Sequence, residues 1–242
     1  MMKKWIVAAL GICVFLGSCK NDDDINEPST DDQNSLDDQA ILAYLEDHYF
    51  EPNRGLIKSY SPTDSTDDDY PNLLSQGTKL PSGVWIVKRN GVEANGRSVQ
   101  NNLQDSILIS YHAYKFVAVS DLETNEKPYS RSYDVFMSTI NTSGSPQWDP
   151  VFYYKHITPS MAEDGINLSH YVIEGFVEGL KHFPSTETDG IDPYNFQGAI
   201  LVPSRLAYGR DINYLTGTPN NLNFRNSSFV FNIELHKVVD RQ

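Results

Sequence analysis

Short runs rich in β-branched and aromatic residues follow one another after Gly83, and this pattern constrains the fold more than any other feature of the chain. Six such runs predict β-strands, at 84–88, 106–117, 133–137, 151–154, 199–203 and 229–238. One helix interrupts the series at about 171–180, where Val172, Phe176 and Leu180 fall on one side. Because the pattern contains no repeated helical crossovers, we expect an antiparallel sheet packed on one short helix, an α+β fold.

The last predicted strand has the strongest alternation of apolar and polar residues. Successive side chains of a strand point to opposite faces, so an alternating apolar set predicts a buried face. That set is Phe229, Phe231, Ile233 and Leu235, and the other face carries Val230, Asn232, Glu234 and His236. We therefore expect one face of this strand to lie in the core.

The first residues have the features of a secretory signal. Lys3 and Lys4 precede an apolar stretch at 5–16 that is too short to span a bilayer. The sequence Leu16-Gly17-Ser18-Cys19 that ends this region resembles the lipobox at which bacterial lipoprotein precursors are lipidated and cut. Residues 1–18 are therefore interpreted as a lipoprotein signal peptide.

Cys19 is the expected lipidation site and would become the first residue of the mature chain. Acyl chains on this residue would anchor the protein without a transmembrane helix. Cys13 would leave with the signal peptide, so the mature chain would hold no thiol for a disulfide or a metal. The expected location is the cell envelope, as an outer-membrane lipoprotein facing either the periplasm or the cell surface. The alternative is that Cys19 is an ordinary cysteine near a signal peptide.

An acidic, polar segment follows, and 19–35 is expected to be a disordered tether. Loss of Lys3 and Lys4 leaves 17 basic residues against 32 acidic ones, a balance that disfavours nucleic acid as a partner. The run Asn21-Asp22-Asp23-Asp24 resembles the surface-export signals of Bacteroidetes lipoproteins, although a plain solvated linker explains it equally well.

Residues 36–82 are expected to form an N-terminal helix and a linker. Ser35 is a candidate helix cap, and Ile41, Leu42 and Leu45 recur at helical spacing up to about His48. The stretch 51–81 is polar and proline-rich and predicts an exposed loop. Its aspartates lack the spacing and the turn glycine of an EF-hand, so solvated charge is favoured over a calcium site.

Three later blocks, in a fixed order, resemble motifs of the FKBP-type peptidyl-prolyl isomerases. Residues 172–180 (VIEGFVEGL) are similar to the family's V-I-x-G-W-x-E-G-L helix, and 201–209 (LVPSRLAYG) to its I-P-x-x-L-A-Y-G segment. Residues 226–235 (NSSFVFNIEL) are similar to the closing N-S-T-L-V-F-D-V-E-L strand. Upstream, 107–111 (ILISY) stands where the family has V-x-V-x-Y.

The resemblance implies that 83–242 form an FKBP-like domain, a twisted antiparallel half-barrel sheet wrapped on one short helix, preceded by a helical extension. It implies isomerisation of X-Pro bonds in exported proteins, with proline-containing polypeptides as partners, no cofactor, no metal, and a monomeric state. Rotation about an X-Pro amide has a barrier of about 18–20 kcal/mol, and no bond has to break. A dry apolar pocket favours the twisted form, in which the carbonyl is less polar.

By residue-to-residue resemblance, an aromatic cup sized for one prolyl ring is expected. Catalytic contacts are assigned to Tyr208, Tyr111, Phe136, Phe176 and Phe231, and substrate binding to Val151, Val172, Ile173 and Leu222. Tyr208 would donate its hydroxyl, and Ile173 its backbone N–H, to substrate carbonyls. For Val151 and Leu222, ordinary core packing is an equally good interpretation.

Two departures from the family pattern leave a second reading open. Met137 stands where the family commonly has Asp, and Asn223-Phe224-Arg225 replaces the usual Ile-Pro-Pro. The alternative is an FKBP-like module that binds a peptide or partner with little or no turnover. Longer loops at 155–170 and 182–197 suit partner specificity or simple surface decoration. The six histidines lack the paired spacing of zinc proteases, and no nucleophile elbow or phosphate loop is present.

Overall fold

A computed structural model describes residues 27–120, 122, 126–140, 144–190 and 193–242 of the chain. The interpreted signal peptide, Cys19 and the acidic run after it lie outside these residues. The helices are α1 (Thr30–Asp47), α2 (Leu73–Gln76), α3 (Pro159–Glu163) and α4 (Glu174–Leu180), with 3-10 turns at Leu168–His170 and Ser204–Leu206. The strands are β1 (His48–Phe50), β2 (Ile57–Ser59), β3 (Gly77–Lys79), β4 (Trp85–Lys88), β5 (Asp105–Val117), β6 (Asp134–Ser138), β7 (Gln147–Trp148), β8 (Gly198–Val202) and β9 (Ser227–Asp240).

The main sheet has seven strands, all paired antiparallel, in the order β3-β4-β8-β9-β5-β6, with β7 also paired to β5. Strands β1 and β2 form a separate two-stranded sheet. The α+β prediction is confirmed, and the sheet is open rather than closed into a barrel.

The strand predicted at 151–154 is wrong, because this segment is a turn. The carbonyl of Pro150 accepts hydrogen bonds from the N–H groups of Tyr153 (2.7 Å) and Tyr154 (3.0 Å), which closes the turn on itself. The strand in this region is β7, a two-residue strand that precedes the turn and pairs with β5. The apolar character of 151–154 thus reflects burial in a turn.

Both faces of β9 are buried, whereas the alternation predicted a single core face. Phe231 packs with α4 on one face, and Val230 packs in a second core under α1 on the other. Asn232 on the second face is satisfied, because it accepts from the Ile57 N–H (3.0 Å) and donates to the Gly198 carbonyl (3.1 Å). A second layer over this face therefore explains why no side of the strand is open to water.

Helix α1 begins at Thr30, inside the segment that was expected to be a disordered tether, so the predicted boundary at 35 is wrong. Ser29 caps the helix by accepting the N–H of Asp32 (3.1 Å), and Asp31 and Asp32 lie in the first turn. Carboxylates near the positive end of a helix dipole are stabilising. Asp31 and Asp32, whose charge suggested disorder, thus belong to the start of a helix.

The inner side of α1 covers the second face of the sheet. Ile41, Tyr44 and Leu45 are fully buried in a core shared with Phe116 of β5 and Val230 of β9. Full burial of a large apolar side chain contributes about 1.5–3 kcal/mol. The helix is therefore a layer of the fold, with α4 on the opposite face of the sheet.

Part of the predicted exposed loop at 51–81 is also structured. It contains β2, α2 and β3, and Asp67 is buried, with one carboxylate oxygen accepting the N–H of Ser61 (2.9 Å). Strand β3 forms an edge of the main sheet by pairing with β4. Tertiary pairing rather than local composition determines these elements.

A buried carboxylate joins α1 to the segment after β8. Asp37 accepts the backbone N–H of Ser204 (2.8 Å) and the side-chain amide of Gln33 (2.9 Å), and both partners are themselves buried. Burial raises the pKa of Asp37, and these two hydrogen bonds oppose that rise. The contact fixes α1 against the chain that leads to Tyr208.

We expect Asp37→Ala to lower the free energy of unfolding by about 1–3 kcal/mol, because the buried N–H of Ser204 would lose its acceptor. Asp37→Asn keeps an acceptor oxygen and should lose less. Asp31→Ala, an exposed aspartate of the same helix, is the control. Urea denaturation followed by circular dichroism measures all three, and an equal effect of Asp31→Ala and Asp37→Ala would contradict the role given to this contact.

Candidate functional site

Helix α4 lies directly on β8 because two glycines face the strand. An added methyl group at Gly175 would lie 2.5 Å from Val202, and one at Gly179 would lie 2.5 Å from Ile200. Real side-chain carbons do not approach that closely, so only glycine permits this helix–sheet distance. The two glycines of the 172–180 block therefore set the depth at which Phe176 enters the core.

Aromatic rings from distant segments converge beside Phe176. Its ring centroid lies 4.6 Å from that of Phe231 on β9 and 5.0 Å from that of Phe152. Tyr111 lies 5.1 Å from Phe152, and Phe136 lies 6.3 Å from Phe231. The structure thus brings together four of the five residues assigned to catalysis, with the ring of Phe152 among them.

Tyr208 joins the same cluster from the other side. Its ring lies 6.1 Å from that of Phe229 and 5.7 Å from that of Phe224, and Phe136 contacts both of these rings at 4.8 and 5.4 Å. Phe224 and Phe136 are half-buried and form the outer side of the cluster. All five residues assigned to catalysis therefore belong to one continuous aromatic group.

The expected open cup is closed in this structure. Phe176, Phe231 and Phe152 have no exposed surface, and Tyr111 is 4% exposed. A ligand can therefore reach the floor of the cluster only if a side chain moves. The physical reason is that the Phe152 ring lies where the cup was expected, in van der Waals range of the surrounding rings.

The two hydrogen-bond donors assigned to the substrate are used within the chain. The hydroxyl of Tyr208 donates to the carbonyl of Tyr171 (2.6 Å), and the N–H of Ile173 donates to the carbonyl of Phe152 (2.9 Å). Burial raises the pKa of Tyr208 well above its ordinary value, so its hydroxyl keeps its proton. A substrate carbonyl would have to replace these internal acceptors.

Tyr111 is held by a third hydrogen bond at the side of the cluster. Its hydroxyl donates to Oε1 of Gln147 (2.7 Å), on β7. Burial raises the pKa of Tyr111 to about 12, which keeps the phenol neutral. The ring is thus fixed edge-on to Phe152, and its oxygen points away from the aromatic floor.

The four residues assigned to substrate binding are placed differently. Val172 is 6% exposed and Ile173 is fully buried, both in the core beside Phe176. Val151 is half-buried in the turn before Phe152. Leu222 is 67% exposed and lies outside the core, so the structure does not bring it to the cluster. The role given to Leu222 stays a prediction, and Phe224, two residues later, packs against the rings instead.

Phe152 and Phe224 are the members of the cluster that sequence reasoning missed. Phe152 was hidden by the incorrect strand at 151–154. The signal for Phe224 was present, because an aromatic residue stands in the stretch Asn223-Phe224-Arg225 that departs from the family's Ile-Pro-Pro. An aromatic residue at the rim of an expected aromatic pocket was the clue.

Met137 supplies an apolar side chain where the family pattern has a carboxylate. It is half-buried, packs against the same core, and pairs with Ala113 across β5 and β6. The side of the cluster next to Phe136 is therefore apolar. Among the described residues, no group of three histidine, cysteine or carboxylate side chains is arranged to hold a metal ion.

A surface depression of about 470 Å³ opens over one side of the cluster. Val172 and Tyr208 line it, together with polar and charged residues: Ser169, His170, Glu174, Arg205, Arg210 and Asp211. Arg205 is already paired with Asp38 (2.9 Å). The depression brings residues of the 172–180 block next to residues of the 201–209 block.

We expect Phe176→Trp, which restores the residue of the family motif, to lower the free energy of unfolding by about 1–3 kcal/mol. The reason is that Phe152 and Phe231 leave no room for a larger ring, and overpacking forces neighbours to shift. Chemical denaturation measures the change. Unchanged or increased stability would mean that the cluster has free space beside Phe176.

Comparison with known proteins gives structural likenesses only: no protein-family model matches the sequence, and no curated protein matches it. A peptidyl-prolyl cis-trans isomerase from Pseudomonas syringae pv. tomato str. DC3000 is 14% identical, with a TM-score of 0.41 over 88% of this chain and 97% of that one. FkpA from Escherichia coli is 19% identical, with a TM-score of 0.35 over 68% of this chain and 52% of that one, so the match spans about half of FkpA. AtFKBP13 is 22% identical, with a TM-score of 0.32 over 67% of this chain and 98% of that one. These three neighbours are FKBP-type peptidyl-prolyl isomerases, and at these identities the likeness concerns the fold alone.

Proposed function

We propose that the chain is an FKBP-type peptidyl-prolyl cis-trans isomerase that acts on X-Pro bonds of exported polypeptides. The observation that carries this proposal is the meeting of two motif residues, Val172 and Tyr208, at one depression beside the aromatic cluster. An extended peptide in this depression would place its prolyl ring in the neighbouring aromatic cup, which the chain's own rings fill in this structure. Aromatic walls suit a proline ring and exclude water.

The chemistry requires positioning and an apolar environment, and the site offers both. In the twisted amide the carbonyl loses conjugation with nitrogen and becomes less polar, so apolar walls favour this form over the planar one. Phe136 provides such a wall on the β6 side. Tyr208, which is neutral, would hold a substrate carbonyl once its bond to Tyr171 opens.

A second function is supported by specific observations. Met137 supplies no carboxylate, and the donors of Tyr208 and Ile173 are both satisfied internally. These features favour a module that binds a peptide or partner with little or no turnover. Measurements of turnover and of binding on the same protein separate the two functions.

A protease-coupled proline assay tests the isomerase. We expect the mature chain carrying Cys19→Ser to accelerate isomerisation of an Ala-Leu-Pro-Phe peptide, and Tyr208→Phe to lower kcat/KM about three- to tenfold through loss of one hydrogen bond. Met137→Asp should raise kcat/KM by adding a polar group to the pocket side.

The soluble form should begin before Glu27, because Arg225 binds the Glu27 carboxylate through two nitrogens (2.6 and 2.9 Å) and Arg210 donates to the Pro28 carbonyl (2.6 Å). A truncation near Ser35 would remove these contacts and the first turn of α1.

Binding of the peptide with no acceleration by wild type or Met137→Asp would support the binding module instead.

We further propose that the protein is held at the outer membrane by lipid on Cys19, as a monomer that faces the periplasm or the cell surface. The lipobox-like residues before Cys19 support this location. Within the described ranges no helix has the length and apolar character needed to cross a membrane. In this proposal, acyl chains on Cys19 hold the protein at the membrane.

Cys19→Ser should move the protein from the membrane fraction to the soluble fraction of the expressing bacterium and abolish incorporation of labelled palmitate. Cys13→Ser, in the interpreted signal peptide, is the control and should leave both unchanged. Retention of Cys19→Ser in the membrane fraction would exclude lipid as the sole anchor.

A further inference from the structure

The turn at 150–154 occupies the place that the proposed function gives to a substrate. Phe152 lies in this turn with its ring inside the aromatic cluster and its carbonyl on the Ile173 N–H. We propose that Phe152 is an intramolecular plug, and that a prolyl peptide enters the cup only when this residue swings out. The proposal rests on the proposed location of the peptide site, and it adds an autoinhibitory contact to it.

The ring of Phe152 fills the centre of the cluster. Its centroid lies 5.0 Å from Phe176 and 5.1 Å from both Tyr111 and Phe231, the residues assigned to the floor and the walls. None of these four side chains is more than 4% exposed. A prolyl ring can therefore contact the floor only in exchange for the ring of Phe152.

A substrate could also replace the turn in its backbone hydrogen bond. The Phe152 carbonyl accepts the Ile173 N–H at 2.9 Å, the contact expected for a substrate carbonyl. Replacing one carbonyl by another keeps the number of hydrogen bonds constant. The peptide would thus compete with Phe152 for both the apolar and the polar part of one site.

The anchoring of the turn confines the required motion to Phe152 itself. On one side, Asp149 accepts the N–H of Ile107 (3.0 Å). On the other, the hydroxyl of Tyr153 donates to the carbonyl of Asp105 (3.0 Å). These bonds fix Asp149 and Tyr153, on either side of the 150–152 segment, to the start of β5. Rotation of the Phe152 side chain and its adjoining peptide opens the cluster while the turn stays attached.

If only open molecules bind the peptide, the apparent affinity is the affinity of the open form multiplied by the fraction of molecules that are open. A closed resting state therefore weakens the measured binding. Removing the Phe152 ring should therefore tighten peptide binding, whereas removing a residue that only forms a wall should weaken it. This opposite sign separates a plug from a wall. Phe116 is the matched control, because it is a fully buried phenylalanine of β5 that packs in the core under α1 on the other face of the sheet.

The test is binding of an Ala-Leu-Pro-Phe peptide by isothermal titration calorimetry to the mature chain with Cys19→Ser, alone and with Phe152→Leu, Phe152→Ala or Phe116→Leu. We expect Phe152→Leu to lower the Kd roughly fivefold or more relative to wild type, and Phe152→Ala to do so if it folds. Phe116→Leu should lower thermal stability by a similar amount and leave the Kd unchanged.

A folded Phe152→Leu protein that binds the peptide no tighter than wild type overturns the plug, and so does equal tightening by Phe116→Leu. Turnover is read separately. Tighter binding without turnover in any form leaves the plug standing and rejects the isomerase. Turnover by wild type that Phe152→Leu weakens along with binding supports the isomerase and rejects the plug.

Discussion

The pairing of β5 with β9 is the constraint on which the rest of the structure depends. It runs from Asp105 opposite Asp240 to Val117 opposite Ser227, with a register shift between Leu108 and Ile109. Because a slip of one residue would exchange the two faces of a strand, this register decides that Phe231 faces α4 and Val230 faces α1. Because both faces are buried, the register is well determined. A slip of one residue would turn polar side chains such as Asn232 and Glu234 toward the core that contains Phe176.

The two layers on this sheet are coupled through the segment that follows β8. Asp37 of α1 holds the N–H of Ser204, and the same short stretch continues to Tyr208 at the aromatic cluster. The N-terminal helix is therefore part of the framework that positions the site. The N-terminal helix packs on the same strands as α4, with one core under α1 and the other under α4.

Sequence predicted well the features that depend on repeated local pattern. The alternation of 229–238 and the helical spacing of apolar residues in 171–180 predicted β9 and α4, and the FKBP-like motifs indicated which aromatic residues would meet. The start of α1 was missed because Asp31 and Asp32 suit a disordered linker as well as a helix start, and only the contacts of the helix decide between them. The turn at 151–154 was missed because short apolar runs do not distinguish a strand from a buried turn.

Closure of the cup was beyond sequence reasoning for a different reason. Whether Phe152 or a ligand fills the space beside Phe176 depends on the packing of side chains from four separate segments. A substitution pattern such as Asn223-Phe224-Arg225 signals that the rim differs from the family, yet it does not tell which ring points inward. Exposure of Leu222 and burial of Phe224 follow from the path of this loop, which local sequence does not determine.

The position of Glu27 has a mechanical consequence. Its carboxylate accepts two hydrogen bonds from Arg225, which follows Phe224 at the rim of the cluster. The adjoining Pro28 carbonyl accepts a hydrogen bond from Arg210, two residues after Tyr208. Tension on the residues that precede Glu27 is therefore borne first by the rim rather than by the sheet. A force applied through the upstream chain would therefore act on the aromatic cluster before it acted on β5 and β9.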